Sequence, residues 1–239
     1  MTTPSITTSS MLRHAAWAQG LTQAQIDRVV RETREQHFAA GSVICREGEP
    51  AEYWLGVIEG MVKVDTVAPD GRCTTFIGVS AGGWLGEGSL IKQERRPYEV
   101  VALRDSRIAL MPIATFDRLY QTSLPFNNFL VRQLNARLGQ FVALVESCRM
   151  QTTTGQVASC LAELFNPAFC PTTSDVVMIS QQEIARLCGL SRQITNRALH
   201  ELQDAGIVRI RYGKIHVDEI SGLQAFAKAA DRPNKVLRH

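Results

Sequence analysis

The side chains best suited to chemistry lie between Ser191 and Gln203, where basic and amide residues alternate with apolar ones. At about 100° per residue, the polar residues of this stretch share one helical arc of about 140°. They are Arg192, Gln193, Asn196, Arg197 and His200. The opposite, packed side is predicted to hold Ile194, Ala198, Leu199 and Leu202. Arginine and amide side chains pair with guanine and adenine edges, so the arc has the chemistry of a base-reading surface.

A first short helix is predicted immediately upstream. Ser180 precedes an apolar-periodic segment and Glu183 follows three residues later, so the two can form a capping box that starts this helix at Gln181. Gly189 supplies the left-handed backbone of the connecting turn, and Ser191 is placed to cap the second helix. The two helices together predict a helix-turn-helix.

A basic β-hairpin is predicted after the second helix, from Ile207 to Val217 around a Tyr212-Gly213 turn. It adds Arg209, Arg211 and Lys214. From Ile179 to Val217 basic residues are twice as numerous as acidic ones, a local excess that favours phosphate. The alternative is a solvated helix that happens to carry arginine and glutamine. The turn and the basic hairpin favour a winged helix-turn-helix that binds double-stranded DNA.

Composition sets broader limits. The 239 residues, 45% of them hydrophobic, allow one or two domains with sizeable cores, and the net charge of +3 is too small to indicate nucleic acid without the local clustering. The first ten residues are polar, and no apolar run approaches the length of a membrane span. We therefore expect a cytoplasmic protein with no membrane partner.

Cysteines and histidines are scattered along the chain without a metal-ligand spacing. The cysteines are Cys45, Cys73, Cys148, Cys160, Cys170 and Cys188, and the histidines are His14, His37, His200, His216 and His239. We expect reduced, mostly buried thiols, and neither a metal nor a cofactor. No nucleophile and base set, P-loop or dinucleotide-binding fingerprint is present, so we do not expect an enzyme.

The N-terminal half is predicted to begin with a helical segment from Met11 to Gln36. Between Gly41 and Pro112, short β-branched and aromatic runs are separated by glycine turns. The clearest runs are Tyr53 to Ile58, Met61 to Val67 and Cys73 to Val79. This pattern predicts a small antiparallel β barrel or sandwich.

A long helix is predicted from Phe126 to Cys148, with apolar residues spaced alternately by three and four. They are Val131, Leu134, Leu138, Phe141, Val145 and Cys148. Such a seam is typical of a parallel helix pair, although an ordinary helix packed on its own domain has similar spacing. Because a helix-turn-helix normally works on two half-sites, we expect a homodimer with this seam as its interface.

The predicted elements follow the order barrel, long helix and winged helix, and Ser191, Arg192 and Arg197 match the pattern S-R-x-x-x-x-R. In these features the chain resembles the cyclic-AMP receptor and fumarate-nitrate regulator family of bacterial transcription factors. The resemblance implies an α+β fold with an N-terminal double-stranded β-helix of jelly-roll type and a partner in RNA polymerase. The expected divisions are a disordered tail over 1–10, a barrel domain over 11–124, a dimerisation helix over 125–150, a DNA-binding domain over 151–225 and a tail over 226–239.

Roles follow for individual residues. The resemblance implies that Arg192, Arg197 and position 193 read bases. Gln193 stands where the cyclic-AMP receptor has glutamate, which exchanges an acceptor suited to cytosine for an amide suited to adenine, so we expect a different operator. Phosphate contacts are implied for Gln181, Gln182, Tyr212 and Lys214. Ser191 and Asn196 complete the expected DNA-binding set.

The barrel also carries Gly86-Glu87-Gly88-Ser89-Leu90 and then Arg96, as in the family's phosphate-binding cassettes. In such a cassette Glu87 would accept from a ribose hydroxyl, while Arg96 and the amides of Gly88 and Ser89 would hold a cyclic phosphate.

The sequence departs from that cassette at several positions that would contact the nucleotide. They are Pro97, Tyr98 and Glu99 in the cassette and Phe141 and Val142 on the long helix. A hydroxyl donor is lost and a carboxylate is added, so we expect the Gly-Glu motif to serve barrel geometry. A cyclic-nucleotide receptor is the alternative, and any small-molecule effector is unknown. The first cysteine is Cys45, which argues against an N-terminal iron-sulfur cluster.

Overall fold

The structure, a computed structural model, describes residues 6–67, 73–150, 152–167, 169, 175–211 and 213–229. The chain forms two compact units, one made mainly of residues up to Arg137 and the other mainly of residues from Leu138 onward. The predicted combination of a β-sheet domain, a long helix and a C-terminal winged helix-turn-helix is confirmed. Within the described ranges, none of the helices has both the length and the apolar character that crossing a membrane requires.

The first unit contains two four-stranded antiparallel sheets with the orders β1-β8-β3-β6 and β2-β7-β4-β5. The strands are β1 (Arg34–Phe38), β2 (Val43–Cys45), β3 (Tyr53–Glu59), β4 (Met61–Val67), β5 (Cys73–Ser80), β6 (Trp84–Leu85), β7 (Glu99–Ala102) and β8 (Ser106–Pro112). The runs predicted as strands are β3, β4 and β5, each within a residue of its predicted bounds. Val57, Val64, Val100 and Ile108 belong to the apolar cluster shared by the two sheets.

Helices cover the outer face of the β1-β8-β3-β6 sheet. They are α1 (Thr8–His14), α2 (Gln23–Glu32), α3 (Glu87–Lys92), α4 (Ile113–Thr122) and the first part of α5 (Leu124–Met150). Rings of Trp17, Trp54, Trp84, Phe116 and Phe126 meet in the core beneath them, and the Trp54 and Trp84 ring centroids are 4.4 Å apart.

The prediction of one helical segment from Met11 to Gln36 is wrong at both ends. A helix already begins at Thr8, within the segment expected to be a disordered tail, and α2 ends at Glu32. Residues 34–38 form β1, which pairs with β8 from Arg34 opposite Leu110 to Phe38 opposite Ser106. The residues of β1 are mostly exposed and polar, so they show no alternation of apolar and polar side chains that would indicate a strand. Pairing with the distant strand β8 decides the conformation of this segment.

The second unit is a winged helix-turn-helix. Its elements after α5 are α6 (Thr153–Glu163), β9 (Val176–Val177), α7 (Gln181–Cys188), α8 (Arg192–Asp204), β10 (Val208–Arg211), β11 (Lys214–Val217) and α9 (Ile220–Ala229). The strands form one sheet in the order β10-β11-β9, and Leu161, Ile184, Leu199 and Leu223 are fully buried in this unit. Because α9 continues to Ala229, the domain extends beyond the predicted limit at residue 225.

Candidate nucleic-acid interface

Helix α8 presents a polar face to solvent. Ser191 caps it by accepting a hydrogen bond from the backbone N–H of Ile194 at 3.3 Å, and the helix runs to Asp204. The side chains of Arg192, Gln193, Arg197 and His200 are exposed, and Asn196 is half-buried. The predicted cap and helix are therefore present, and the predicted arc faces outward.

The prediction that Ile194 packs inward is wrong. Ile194 is 40% exposed, whereas the next residue, Thr195, is completely buried. Thr195 lies three, four and seven residues before Ala198, Leu199 and Leu202, all of which are buried, so the true inner face follows that spacing. The sequence predicts Ile194 on the buried face because isoleucine is more hydrophobic than threonine. In the structure, the position on the helix places Thr195 on the buried face and Ile194 outside it.

The turn that places α8 has the predicted serine cap and left-handed glycine, but the capping box is incomplete, because the Glu183 carboxylate binds the Ser180 hydroxyl and not the Ser180 backbone N–H. Ser180 Oγ accepts from the N–H of Glu183 at 3.2 Å, and the serine hydroxyl also donates to the Glu183 carboxylate. Gly189 has a φ of +66°, and the N–H of Leu190 donates to the Ala185 carbonyl at 2.9 Å. This left-handed C-cap ends α7 and turns the chain into α8.

Two residues that sequence analysis did not single out connect α8 to the wing. Gly206 has a φ of +73°, and the N–H of Ile207 donates to the Leu202 carbonyl at 3.0 Å. The side-chain oxygen of Gln203 accepts from the N–H of Ile210 at 3.0 Å. A glycine just past the last periodic residue is a C-cap signal, so Gly206 was detectable in the sequence.

The basic residues of this unit are not equivalent. Arg209 donates to Asp218 from Nε at 2.8 Å, and this hydrogen bond raises the pKa of the guanidinium. Its charge is therefore balanced, contrary to the expectation that all bases of the hairpin add to a phosphate-binding excess. Within the described part of the chain, no ion pair or side-chain hydrogen bond engages Arg192, Arg197, Arg211 or Lys214.

A groove of about 610 Å³ joins the start of α7, the start of α8 and the wing. Its lining includes Gln181, Gln182, Arg192, Arg211 and Gly213. The structure thus brings together three residues that were expected to contact DNA, Gln181, Gln182 and Arg192, and adds Arg211. Arg197 and Lys214 are exposed outside this lining, and Tyr212 lies outside the described residues.

The residues that would hold an effector in the alternative interpretation belong to the first unit, and most of them are buried. Glu87, Ser89 and Arg96 are each at most 4% exposed. Glu87 accepts a hydrogen bond from Trp54 Nε1 at 3.3 Å, and Arg96 Nη2 donates to the Tyr53 carbonyl at 2.5 Å. Both charged groups therefore bind parts of the barrel itself.

Gly86 allows the Arg96 side chain to lie where it does. Gly86 has a φ of +96°, and a Cβ at this position would stand 2.3 Å from Arg96 Nη1. Tyr98 packs against the core between the sheets, where burial raises the pKa of its hydroxyl although the charge of Arg96 opposes the shift. Arg96 Nε and Nη1 have no hydrogen-bond partner among the described residues.

The four described thiols are Cys45, Cys148, Cys160 and Cys188, and they differ in burial. The described residues contain no cluster of three or more His, Cys, Asp or Glu side chains that could hold a metal ion. The hydrogen bond with Cys160, together with burial, raises the pKa of Cys188 well above its ordinary value. Cys148 is exposed, contrary to the expectation of mostly buried thiols.

Comparison with known proteins gives the same two domains. Residues 35–123 match the cyclic nucleotide-binding domain, and residues 155–226 match the Crp-like helix-turn-helix domain. The transcriptional regulator SdrP of Thermus thermophilus is 28% identical over 204 residues, which cover 84% of this chain and 96% of that protein. The cAMP-activated global transcriptional regulator Vfr of Pseudomonas aeruginosa is 27% identical over 192 residues, which cover 78% of this chain and 90% of that protein.

The solved structure of FixK2 from Bradyrhizobium japonicum has the same fold, with a TM-score of 0.70 at 19% identity over 84% of this chain and 98% of that one. The two matched domains, their order along the chain and the curated relatives agree with the β-sheet domain and the winged helix-turn-helix described above. The chain is therefore a DNA-binding transcription regulator of the cyclic-AMP receptor and fumarate-nitrate regulator family.

Proposed function

We propose that this regulator binds an inverted-repeat operator as a homodimer, with α8 of each copy in the major groove. The observation that carries the proposal is that four exposed cations of α8 and the wing have no partner among the described residues, namely Arg192, Arg197, Arg211 and Lys214. Two lie on α8 and two on the wing, and one of each pair, Arg192 and Arg211, lines the groove together with Gln181 and Gln182. Exposed cations around an amide-lined groove suit a phosphate backbone, and the arginines of α8 suit guanine edges.

The dimer is supported by the two faces of α5. Phe126, Leu130, Gln133 and Arg137 are at most 8% exposed, and Arg137 Nη2 donates to the Trp84 carbonyl at 3.1 Å. The seam residues lie on another face of the same helix and are exposed. The exposed fractions are 65% for Val131, 40% for Leu134, 62% for Leu138, 40% for Phe141 and 49% for Val145.

These exposures argue against an ordinary helix whose apolar seam packs on its own domain. A row of large apolar side chains at spacings of three and four is left uncovered in one copy of the chain, and a second copy carries the same row. We therefore assign this face, with the exposed Cys148 at its end, to a two-fold helix pair. As a regulator of transcription, the dimer would meet RNA polymerase at promoters in the cytoplasm.

Selection from random DNA tests this proposal. The purified full-length chain should enrich an inverted repeat whose half-site centres lie about 34 Å apart, one helical turn. The matched control is a variant in which Arg192 and Arg197 are both replaced by alanine, and this variant should enrich nothing. Enrichment of a sequence without two-fold symmetry would contradict the homodimer, and enrichment of the same motif by the control would contradict the assignment of α8 as the reader.

Cyclic-nucleotide control is the second candidate, because two buried nitrogens of Arg96 have no partner in the described residues and relatives such as Vfr are named as cAMP-activated. We infer that cyclic AMP is not the effector. Arg96 already binds the Tyr53 carbonyl, Glu87 already accepts from Trp54, and Tyr98 occupies part of the space between the sheets. Glu99, which follows Tyr98 directly, adds a carboxylate that would repel an anion bound near Arg96.

Titration calorimetry with cyclic AMP and cyclic GMP tests that inference. We expect no saturable heat at micromolar concentrations of either nucleotide. A saturable signal that is lost in Arg96→Ala, and kept in a variant of an arginine outside the barrel such as Arg209→Ala, would restore the receptor interpretation.

A further inference from the structure

We propose that Ile194 reads a thymine by packing against its 5-methyl group. The inference rests on the proposed function, since it takes α8 to lie in the major groove. Ile194 is in the first turn of α8, follows Gln193 directly and precedes Arg197 by three residues, so it lies on the surface between two residues assigned to base reading. It is 40% exposed.

Exposure of a single isoleucine is ordinary for a protein surface, so position carries the argument. Among the described residues of the second unit, three large apolar side chains outside α5 are exposed: Met178, Ile194 and Ile220. Ile194 is the one on α8. The inner face of α8 is formed by Thr195, Ala198, Leu199 and Leu202, and Ile194 lies outside that face.

The chemistry of the major groove indicates which base fits this side chain. Guanine, cytosine and adenine present donors and acceptors there, and thymine also presents a methyl group. Isoleucine has neither a donor nor an acceptor, so a polar base edge against it would lose hydrogen bonds to water without replacement. A thymine methyl group has no hydrogen bonds to water to lose, and its contact with Ile194 removes apolar surface from water. Because a β-branched side chain on a helix is held in one dominant rotamer, little freedom is lost on contact.

Deoxyuridine differs from thymidine by that methyl group alone, which gives a direct test. Each thymine of the selected operator is replaced by uracil in turn, and binding is measured by fluorescence anisotropy for the wild type, Ile194→Ala and Ile194→Val. At one thymine per half-site, we expect the wild type to weaken about fourfold, the factor that corresponds to one methyl-sized group returned to water. Ile194→Val, which keeps both γ-carbons and the β-branch and loses only the δ-carbon, should show the same penalty.

Ile194→Ala should bind the thymine and uracil operators equally. Its melting temperature should match the wild type because the side chain is exposed. Ile220→Ala is the matched control, since it removes the same group from a side chain that is 37% exposed on α9, and it should keep the wild-type penalty.

The inference is overturned if no thymine-to-uracil exchange weakens the wild type, as would be seen if Ile194 touched only the sugar-phosphate backbone or nothing. It is equally overturned if Ile194→Ala keeps the full penalty. If the proposed function itself were wrong, selection from random DNA would enrich no symmetric site, and this result would distinguish the two failures.

Discussion

Among single residues, the unpaired cations of α8 and the wing offer two kinds of contact in the proposed complex. Arg192 and Arg197 are on α8, and a guanidinium can donate two parallel hydrogen bonds to the O6 and N7 of guanine. Lys214 begins the second strand of the wing, opposite Arg211, and an ammonium there acts as a point charge toward phosphate. Helix and wing should therefore differ in how much they contribute to sequence preference.

The variants Arg197→Ala and Lys214→Ala separate these contributions. Arg197→Ala should weaken the selected operator by about 1 to 3 kcal/mol and relax preference at one base pair per half-site, with a much smaller effect on random DNA. Lys214→Ala should weaken both DNAs alike and lower the slope of log K against log salt by about one unit per half-site. Binding isotherms over a salt series measure both effects. Equal losses from Arg197→Ala on specific and random DNA would remove it from the reading surface.

Residue-level expectations succeeded where the signal is local. The caps at Ser180 and Ser191 and the left-handed Gly189 depend on neighbours within a few positions, and all three are found. The balance between Arg209 and Asp218 was not predicted, because Arg209 lies on β10 and Asp218 directly follows β11, and only the pairing of β10 with β11 brings them together. Burial of Thr195 in place of Ile194 depends on which side of α8 packs against the rest of its unit, and the hydrophobicity of a single residue does not indicate that side.

At the scale of elements, Glu32 fastens the end of α2 to α4. Its carboxylate accepts from Arg118 Nη2 at 2.6 Å and from the Thr115 hydroxyl at 2.7 Å. Burial alone would raise the pKa of Glu32, but the hydrogen bonds from Arg118 and Thr115 outweigh it and lower the pKa from 4.5 to about 2. A depressed carboxyl pKa means that ionised Glu32 stabilises the folded state above its unfolded pKa.

Glu32→Gln should therefore lower the free energy of unfolding at pH 7 by about 1 kcal/mol, a figure kept small because the side chain is 30% exposed. The difference from the wild type should shrink as pH falls from 4.5 toward 2, because the wild type loses the same stabilisation when Glu32 becomes protonated. Urea denaturation at several pH values measures it. Glu52→Gln, at an exposed position, should change little, and a Glu32→Gln deficit that stays constant down to pH 2 would contradict the assignment.

Helix α5 carries the proposed interface, and Phe141 lies in the middle of its seam. Phe141→Glu should separate the subunits, because two carboxylates would face each other in an apolar seam at a cost of several kcal/mol. Light scattering measures the mass. Ala143→Glu is the matched control, since it places the same charge at an exposed position two residues away and off the seam. A stable dimer of Phe141→Glu would locate the interface elsewhere.

Elements with a strong internal pattern were predictable from the sequence. The periodic runs of α5 and α8 and the β-branched runs of β3 and β4 lie close to their expected bounds. β1 was missed because its partner β8 lies some seventy residues along the chain and its own residues are polar. Helix α9 was not predicted at all, since no element is predicted from the sequence after the hairpin that ends at Val217.

For the whole molecule, the sequence indicated two domains joined through a long helix, and the structure has two units with α5 extending into both. The two halves of the chain differ in sequence pattern, with short β-branched runs separated by glycine in the first and capped periodic helices in the second. Control by an effector was not predictable. It depends on which groups line the barrel interior, and there Glu87 accepts from Trp54, Tyr98 packs against the core, and Arg96 binds the Tyr53 carbonyl through one of its three nitrogens.

Selection of operators by Gln193→Glu, in parallel with the wild type, tests the central claim most directly. An amide suits adenine and a carboxylate suits the amino group of cytosine, so the preferred base pair should change from one presenting adenine to one presenting cytosine. Because one α8 from each copy reads one half-site, the change should occur at two positions related by the two-fold axis of the inverted repeat, with the other positions unchanged. The same motif from both proteins, or a change in one half-site only, would contradict a homodimer that reads DNA with α8.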